Sequence, residues 1–258
     1  MLGSVQRFQQ YQFLFEELVK RDFKHKYKRT ILGMLWSLIS PLAQLLVLNV
    51  IFVNFFGHKQ AHYTVYLFTG LMIFTYFNDA TTQGMRALDA NAYIISKINV
   101  PKYLFVFSRI VSSLINFTLT LVIYLVFVAV DQIPFTFTFL ALFYPIVFLT
   151  IMNIGLALIL SALHIFFKDL EYLYSIFTML VMYASAIFYS TESFSPGLRR
   201  VFYLNPVYDF ILYFRTVVID GAIPSLELHL ICAGYALAAF LLGFWLYKKY
   251  NYQFLYYM

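Results

Sequence analysis

The residues best suited to bind charged groups lie near the start of the chain, where six cationic side chains fall within ten positions. These are Lys20, Arg21, Lys24, Lys26, Lys28 and Arg29. The cluster can bind anionic lipid headgroups, because each cation near a membrane surface contributes about 1 kcal/mol. It can equally belong to a docking surface for a partner protein, and the two roles are compatible. A long apolar run containing Trp36 and Pro41 follows at once.

Side chains for acid–base, metal or nucleophilic chemistry are sparse. The five histidines form no cluster, and Cys232, the only cysteine, lies in an apolar run that indicates packing. The P-loop pattern G-x-x-x-x-G-K-[ST], whose backbone cradles nucleotide phosphates, does not occur. We therefore expect no catalysis, metal or cofactor in this chain. If ATP drives its function, ATP and Mg²⁺ are expected on a separate polypeptide.

Composition predicts a membrane protein. The chain is 62% hydrophobic and 12% charged, with a mean hydropathy of +0.76. Soluble domains carry about 25% charged residues and about 45–50% apolar ones. The net charge of +6 does not indicate nucleic-acid binding, since cations also collect at the cytoplasmic ends of membrane helices.

The elements that position these residues are predicted to be membrane helices, each of roughly 20 mostly apolar residues. We predict an all-α polytopic membrane protein with six spans, at about residues 33–56, 63–82, 105–130, 138–163, 172–190 and 229–247. A further apolar stretch, Val201 to Ile219, is broken at Asn205-Pro206 and carries Asp209 and Arg215. We interpret it as part of an external re-entrant segment, about residues 191–227, in which these two charges could pair.

The cations set the expected orientation. With six spans and a cytoplasmic N-terminus, 14 of the 18 Lys and Arg residues lie inside, as the positive-inside rule requires. Both termini are then cytoplasmic. Residues 1–30 are predicted to form a cytoplasmic unit, with an amphipathic interface helix over Val5–Lys20 and the basic segment after it. Residues 31–258 form the six-span domain.

The motif "RDFKHKYKRTILGMLWSLISPL" resembles the N-terminal motif of type-2 ABC exporter permeases, in the branch that exports O-antigen, capsule or teichoic acid. The matching positions in this stretch are Lys24, Lys26, Tyr27, Thr30, Leu32, Gly33, Leu35, Trp36 and Pro41. Four further stretches match in order: "ANAYIISKINVPKYL", "FKDLEYL", "NP" at Asn205-Pro206, and "YFR" followed by "DGAIP". Lys168 replaces the commoner Arg, which retains the charge, and Val100 stands where the family often has Phe.

The resemblance implies a permease subunit of an ATP-driven exporter for a lipid-linked, O-antigen-like polysaccharide in the bacterial inner membrane. It also implies a homodimer with two copies of a separate P-loop ATPase. The loop at about residues 83–104 would couple to that ATPase. Its expected coupling residues are Asn91, Tyr93, Ile94, Ile95, Lys97 and Pro101. Residues Asn91 to Lys97 could form a short surface helix with Tyr93, Ile94 and Ile95 as apolar knobs, and Pro101 fixes a helix start or break.

Polar stripes within the spans indicate where a pathway could lie, because polar groups in a bilayer generally face protein or water. We place the pathway on the first and fifth spans, between two copies of the chain. The candidate lining residues are Ser37, Ser40, Gln44, Phe52, Thr178, Met182, Tyr183, Ser185, Phe188 and Tyr189. Helix–helix hydrogen bonding explains the polar stripes at least as well. The stripe of Ser113, Asn116 and Thr120 in the third span is interpreted mainly in this second way. For any one of the aromatics, contact with lipid or the membrane interface is the commoner role.

Other functions remain as alternatives. A type-2 ABC permease for a drug or a lipid would share most of these features. An ion-coupled carrier would place titratable residues in the middle of its spans, and most of these spans lack them. A membrane-embedded enzyme would need clustered acids and histidines for acid–base chemistry.

Overall fold

The computed structural model describes residues 2–27, 33–56, 62–192, 194–251 and 253–257, and the regular elements in these ranges are all helical. The α-helices are α1 (Leu2–Tyr27), α2 (Trp36–Phe56), α3 (Tyr63–Met85), α4 (Ala92–Lys97), α5 (Tyr103–Val130), α6 (Phe143–Phe166), α7 (Leu170–Ala184), α8 (Pro196–Phe202), α9 (Pro206–Val218), α10 (Leu226–Tyr250) and α11 (Phe254–Tyr257). Short 3-10 segments precede three of them, at Gly33–Leu35, Asp89–Asn91 and Phe137–Leu142. The predicted all-α class is confirmed.

Three helical stretches in the described part of the chain are long and apolar enough to cross a membrane. They are Tyr103–Val130, Phe137–Phe166 and Leu226–Tyr250, and they coincide with the third, fourth and sixth predicted spans. Helices α2, α3 and α7 coincide with the other three predicted spans, and shorter apolar helical stretches occur at Ile39–Leu48 and Leu170–Ala184.

The core is built around α6, which packs along α10 on one side and against α3 on another, while α3 also packs on α5. The α6–α10 contact is close because two glycines meet there. A Cβ on Gly243 would lie 2.4 Å from the carbonyl oxygen of Gly155, which is too short for any side chain. Small residues allow such close approach of membrane helices.

The fifth predicted span ends earlier than its hydropathy indicates. Helix α7 stops at Ala184 instead of reaching residue 190, and Ala186 adopts a left-handed conformation with φ 49°. The chain then turns into α8 and α9, which are separated at Asn205-Pro206 as predicted. The Asn205 side chain accepts a hydrogen bond from the Val207 backbone N–H at 3.1 Å, and Pro206 occupies the first helical position.

Helix α1 is longer than the predicted Val5–Lys20 and extends to Tyr27. It packs along α5, and Leu18 and Asp22 are buried in the contact. The first part of the basic cluster therefore belongs to a helix attached to the bundle.

Candidate functional site

The predicted short helix of the coupling loop is present as α4, preceded by one 3-10 turn. Tyr93 is 71% exposed, and Lys97 places its Nζ 4.0 Å from the centre of the Tyr93 ring. Ile94 is half-buried. The prediction that Ile95 forms a surface knob is wrong: this side chain is 5% exposed and packs into the core. The second large apolar side chain on this surface is Ile98, 53% exposed, which the sequence reading missed.

Asn91 and Pro101 position this segment and do not lie on its outer surface. Asn91 is buried, and its Nδ2 donates to the Ala87 carbonyl at 2.7 Å, so the side chain ties the turn to the end of α3. Pro101 stands just before α5, whose first turn begins with a hydrogen bond from the Leu104 N–H to the Pro101 carbonyl. The predicted helix start at this proline is confirmed.

Two ion pairs connect the coupling loop to the start of α7. Lys168 donates to Asp89 at 2.5 Å, and Arg86 pairs with Glu171. All four side chains are substantially exposed, so each pair alone contributes little to stability. Their position gives them a geometric role, because they bridge the loop that precedes α4 and the turn that opens the fifth predicted span.

The loop also contacts the C-terminal part of the chain. Lys102 Nζ donates to the Asn251 carbonyl, and burial lowers the pKa of Lys102. The C-terminal end and the coupling loop therefore lie at the same end of the bundle.

The N-terminal motif is described in part. Lys24 is exposed on α1, whereas Arg29 and the side chains of Lys26 and Tyr27 lie outside the described residues. Gly33 has φ 54°, a conformation that favours glycine, and it opens the 3-10 turn that leads into α2. Trp36 begins α2 and is 46% exposed.

Asp22 is a buried acid inside the basic cluster, and the sequence reading did not single it out. Its carboxylate accepts from Ser108 Oγ at 2.9 Å and from Arg21 at 2.7 Å, and it lies 3.4 Å from Arg109 Nε. Ser108 and Arg109 belong to α5, so this network fastens α1 to the third predicted span. Two sequence signals were available. One is an acid, Asp22, among the cations of the basic cluster, and the other is the adjacent pair Ser108-Arg109 in the third predicted span.

Two described polar residues of α2 face a cavity of about 330 Å³ between α2, α3 and α5. Ser40 and Gln44 line it, while the side chains of Ser37 and Phe52 lie outside the described residues. The stripe of Ser113, Asn116 and Thr120 on α5 also lines this cavity. One hydrogen bond between helices involves this stripe, from Ser113 Oγ to Asp79 of α3 at 2.9 Å.

The predicted stripe on the fifth span does not continue along one helix face, because α7 ends at Ala184. Ser185, just beyond the helix, is buried and its Oγ accepts from Asn205 Nδ2 at 2.9 Å. Thr178 is buried and donates to the Ser175 carbonyl, and Met182 is half-buried.

The aromatic candidates at this end form a cluster at the end of α7, with Tyr183 in its last turn and Phe188 and Tyr189 beyond it. Tyr183 is 57% exposed, its ring centre lies 6.3 Å from that of Phe188, and the Tyr189 hydroxyl donates to the Tyr183 carbonyl at 2.7 Å.

The turn after α7 is held by Arg215 of α9, which is buried. Its guanidinium donates to the carbonyls of Ala186, Ile187 and Tyr66 at 2.9–3.1 Å and stacks 3.3 Å from the Tyr66 ring centre. The expected Asp209–Arg215 pair is therefore wrong. Asp209 is buried as well, and its carboxylate oxygens have no hydrogen-bond partner among the described residues.

The sequence profile of the ABC-2 type transporter family matches residues 14–218, which include α3, the coupling segment and α9. The chain belongs to the ABC-2 type transporter family. Members of this family form the transmembrane part of ABC transporters, so the chain is an integral membrane protein.

Among curated relatives of this ABC-2 transporter chain, two O-antigen export system permease proteins RfbA of Klebsiella pneumoniae are similar to it. One is 28% identical over 232 residues, covering 82% of this chain and 83% of the relative. The other is 27% identical over 248 residues, covering 94% and 95%. The polysialic acid transport protein KpsM of Escherichia coli is 22% identical over 214 residues, covering 81% and 83%.

Proposed function

We propose that this chain is the permease subunit of an ATP-driven exporter that moves a lipid-linked polysaccharide, of the O-antigen kind, across the bacterial inner membrane. The similarity to an O-antigen export permease over nearly the full length of both chains carries this proposal. The five sequence stretches that resemble the polysaccharide branch also support it.

The proposed topology has six spans, formed by α2, α3, α5, α6, α7 and α10, with α1 at the cytoplasmic interface. Both termini are cytoplasmic, and α8 and α9 form the external re-entrant segment. The concentration of 14 of 18 cations on one side supports this orientation. The common location of α1, the coupling loop and the C-terminal end supports it too.

A separate P-loop ATPase, with its ATP and Mg²⁺, is the proposed motor, and the chain itself is proposed to be non-catalytic. Tyr93 and Ile98 supply the apolar part of the surface that the ATPase would contact, with Lys97 beside them. Aromatic side chains that are exposed in a free subunit are common anchors of protein interfaces.

Two copies of the permease are proposed to form the pathway between them, with no nucleic acid involved. Helices α2 and α7 support this arrangement, because both leave large apolar side chains uncovered in the single chain. Examples are Leu46 and Val47 in α2, and Leu173 and Leu180 in α7. Contact with lipid, with a second copy or with cargo would cover them.

Movement of the coupling segment would reach the pathway through two connections. The pairs Asp89–Lys168 and Arg86–Glu171 join the coupling loop to α7. The Asp22 network joins α1 to α5, which packs against α2. Closure of the ATPase would then displace α4 and α1 together and move the first and fifth spans of the two copies apart.

The docking surface is tested by replacing Tyr93 or Ile98 with Ala and measuring co-purification with the ATPase and stimulation of its activity. We expect at least about tenfold weaker association for Tyr93→Ala, because truncating an interface anchor typically costs 2 kcal/mol or more. Tyr257→Ala, at an exposed tyrosine of the same end, is the control. Association equal to that of the control would contradict docking at α4.

The transmission step is tested by exchanging the charges of one ion pair. Asp89→Lys and Lys168→Asp should each reduce glycan export while the ATPase still co-purifies, and the double variant should recover export. Failure of the double variant to recover, with both single variants impaired, would show that the pair does not transmit the movement.

The pathway assignment is tested with Tyr183→Ala and Tyr189→Ala. We expect reduced glycan export from complexes that assemble normally. If both variants export glycan at the unmodified level, the two tyrosines serve packing and do not line the pathway.

A further inference from the structure

The cavity between α2, α3 and α5 presents one face of each helix. Trp36, Ser40 and Gln44 follow one another at intervals of four along α2, so they share a face. Thr75, Tyr76 and Asp79 contribute from α3, and Ser113, Asn116 and Phe117 from α5. Polar residues from three helices therefore converge on one cavity. A gap left by imperfect packing of apolar helices would not have such a lining.

Its walls combine apolar side chains, namely Pro41, Phe68, Leu71 and Met72, with two further kinds of group. One is a rigid aromatic surface: the rings of Tyr76 and Phe117 stack with centres 4.6 Å apart, and the Tyr76 hydroxyl is hydrogen-bonded to Thr150 at 2.9 Å. The other is a set of hydroxyl, amide and carboxylate groups. Asp79 is positioned by the hydrogen bond from Ser113. A carboxylate has about four acceptor positions, so it can also accept from a ligand.

The polar lining continues toward one end of the bundle. A second cavity of about 90 Å³ shares Asp79, Ser113 and Asn116 with the first and reaches Asp22 and Arg109. It therefore points to the end that carries α1 and the coupling loop. Under the proposed topology this is the cytoplasmic end, from which cargo enters.

These groups match the chemistry of a sugar ring. An aromatic face contacts the C–H face of a pyranose, while hydroxyls, amides and a carboxylate exchange hydrogen bonds with its hydroxyl groups. The volume lies at the lower end of small-molecule pockets, roughly 300–1,000 Å³, and suits one or two sugar rings. A phosphate is disfavoured, because the charged residue that lines this cavity is an acid.

Resting on the proposed export function, we propose that this cavity binds one sugar unit of the exported glycan within a single permease copy. It is separate from the pathway between two copies, so Ser40 and Gln44 line this cavity within one copy and not the pathway to which the sequence assigned them. Asp79 and Gln44 are the specificity-determining hydrogen-bonding groups, Trp36 closes one side, and the Tyr76–Phe117 pair forms the stacking wall.

The chain offers a direct reporter for this site. It has two tryptophans, Trp36 in the cavity wall and Trp245 on the exposed face of α10. In a Trp245→Phe background, tryptophan fluorescence, excited at wavelengths where the 22 tyrosines absorb little, comes from Trp36 alone. The full chain would be placed in lipid nanodiscs, free of glycoside detergents, and titrated with methyl glycosides of glucose, galactose, mannose and rhamnose.

We expect a saturable change of Trp36 fluorescence with at least one glycoside. Asp79→Asn should weaken that affinity by about tenfold or more, since hydrogen bonds to a charged group are the strong ones. Gln44→Leu tests an exposed residue of another helix, in case Asp79→Asn impairs folding. Glu227→Gln, an exposed carboxylate on α10 outside the cavity, should leave the affinity unchanged.

In cells, Asp79→Asn and Gln44→Leu should both lower glycan export from assembled complexes. Absence of any glycoside response would overturn the assignment. A change of Trp36 fluorescence with tetramethylammonium but with none of the glycosides would show that the cavity binds a cation and not a sugar. If the cavity binds a glycoside but both variants export glycan at the unmodified level, the site does not act on the exported glycan. These outcomes concern the cavity alone and leave the proposed function standing. The proposed function would fail separately if cells that lack this chain still exported the glycan.

Discussion

Helices α7 and α9 are similar in length and both are largely apolar, yet they differ sharply in their surroundings. On α7 most large apolar side chains are exposed, among them Leu173, Phe177 and Leu180. On α9 nearly every side chain is buried, including Asp209 and Arg215, which are the charged residues of the helix. The helix with charges lies inside the bundle, and the helix without charges in its second half lies outside.

The difference follows from where backbone groups lack partners. The turn after α7 leaves the carbonyls of Ala186 and Ile187 without helical hydrogen bonds, and water cannot reach them. A buried guanidinium with five donors can satisfy several such carbonyls at once. Apolar side chains on α7 have no such requirement, because lipid suits them as well as protein does. Hydropathy therefore indicates residence in the membrane and does not predict burial within the protein.

The largest effect is expected from removing Arg215. Arg215→Met leaves the buried Ile187 carbonyl without its donor and the Ala186 carbonyl with only the longer bond from the Tyr66 hydroxyl at 3.4 Å. At about 1–3 kcal/mol for each weakened carbonyl, we expect a loss on the order of 4 kcal/mol and little folded protein. Arg200→Met, at an exposed arginine of α8, should change stability by less than about 0.5 kcal/mol. Thermal unfolding of both variants measures the difference. Equal stability would mean that Arg215 does not hold the turn.

A matched pair of phenylalanines compares the two helices directly. Phe214 of α9 is fully buried and Phe177 of α7 is 52% exposed. Phe214→Ala should cost about 3–5 kcal/mol, as core truncations do, and Phe177→Ala less than about 1 kcal/mol. Chemical unfolding of the purified protein tests this expectation. Similar losses would show that the assembled protein covers α7 as tightly as α9.

The contact between α6 and α10 extends the comparison to the tightest part of the core. Gly243→Ala introduces a Cβ against the Gly155 carbonyl, so we expect a loss of about 1–3 kcal/mol. Gly234→Ala, on the same helix with open space around it, should be neutral or slightly stabilising. If both variants unfold at one temperature, the two helices are not in close contact there.

The smallest effect is expected at an exposed charge. Lys168→Met removes the pair with Asp89, which lies at the surface, and should change stability by less than about 1 kcal/mol. Comparison of this loss with that of Arg215→Met measures how strongly burial determines the contribution of a cation to folding stability. A loss as large as that of Arg215→Met would mean that Lys168 is buried in the assembled protein.

Much of the fold was predictable because it depends on local pattern. Runs of apolar residues predicted the long helices, Pro101 predicted the start of α5, and Asn205-Pro206 predicted the break before α9. The short helix of the coupling loop was also predictable. The exposure of its side chains was not, since Ile95 packs into the core of the bundle while Ile98 stays exposed.

The sequence by itself determined that this chain is helical and membrane-embedded, because hydrophobic periodicity, proline and capping residues act over a few positions. Only the tertiary structure decided where α7 ends, which acid fastens α1 to α5, and which three polar stripes meet in one cavity. These features depend on partners far apart in the chain, such as Arg215 with Tyr66 and Asp22 with Ser108. A buried polar group takes whichever distant partner folding brings within hydrogen-bond distance, and no local pattern encodes that choice.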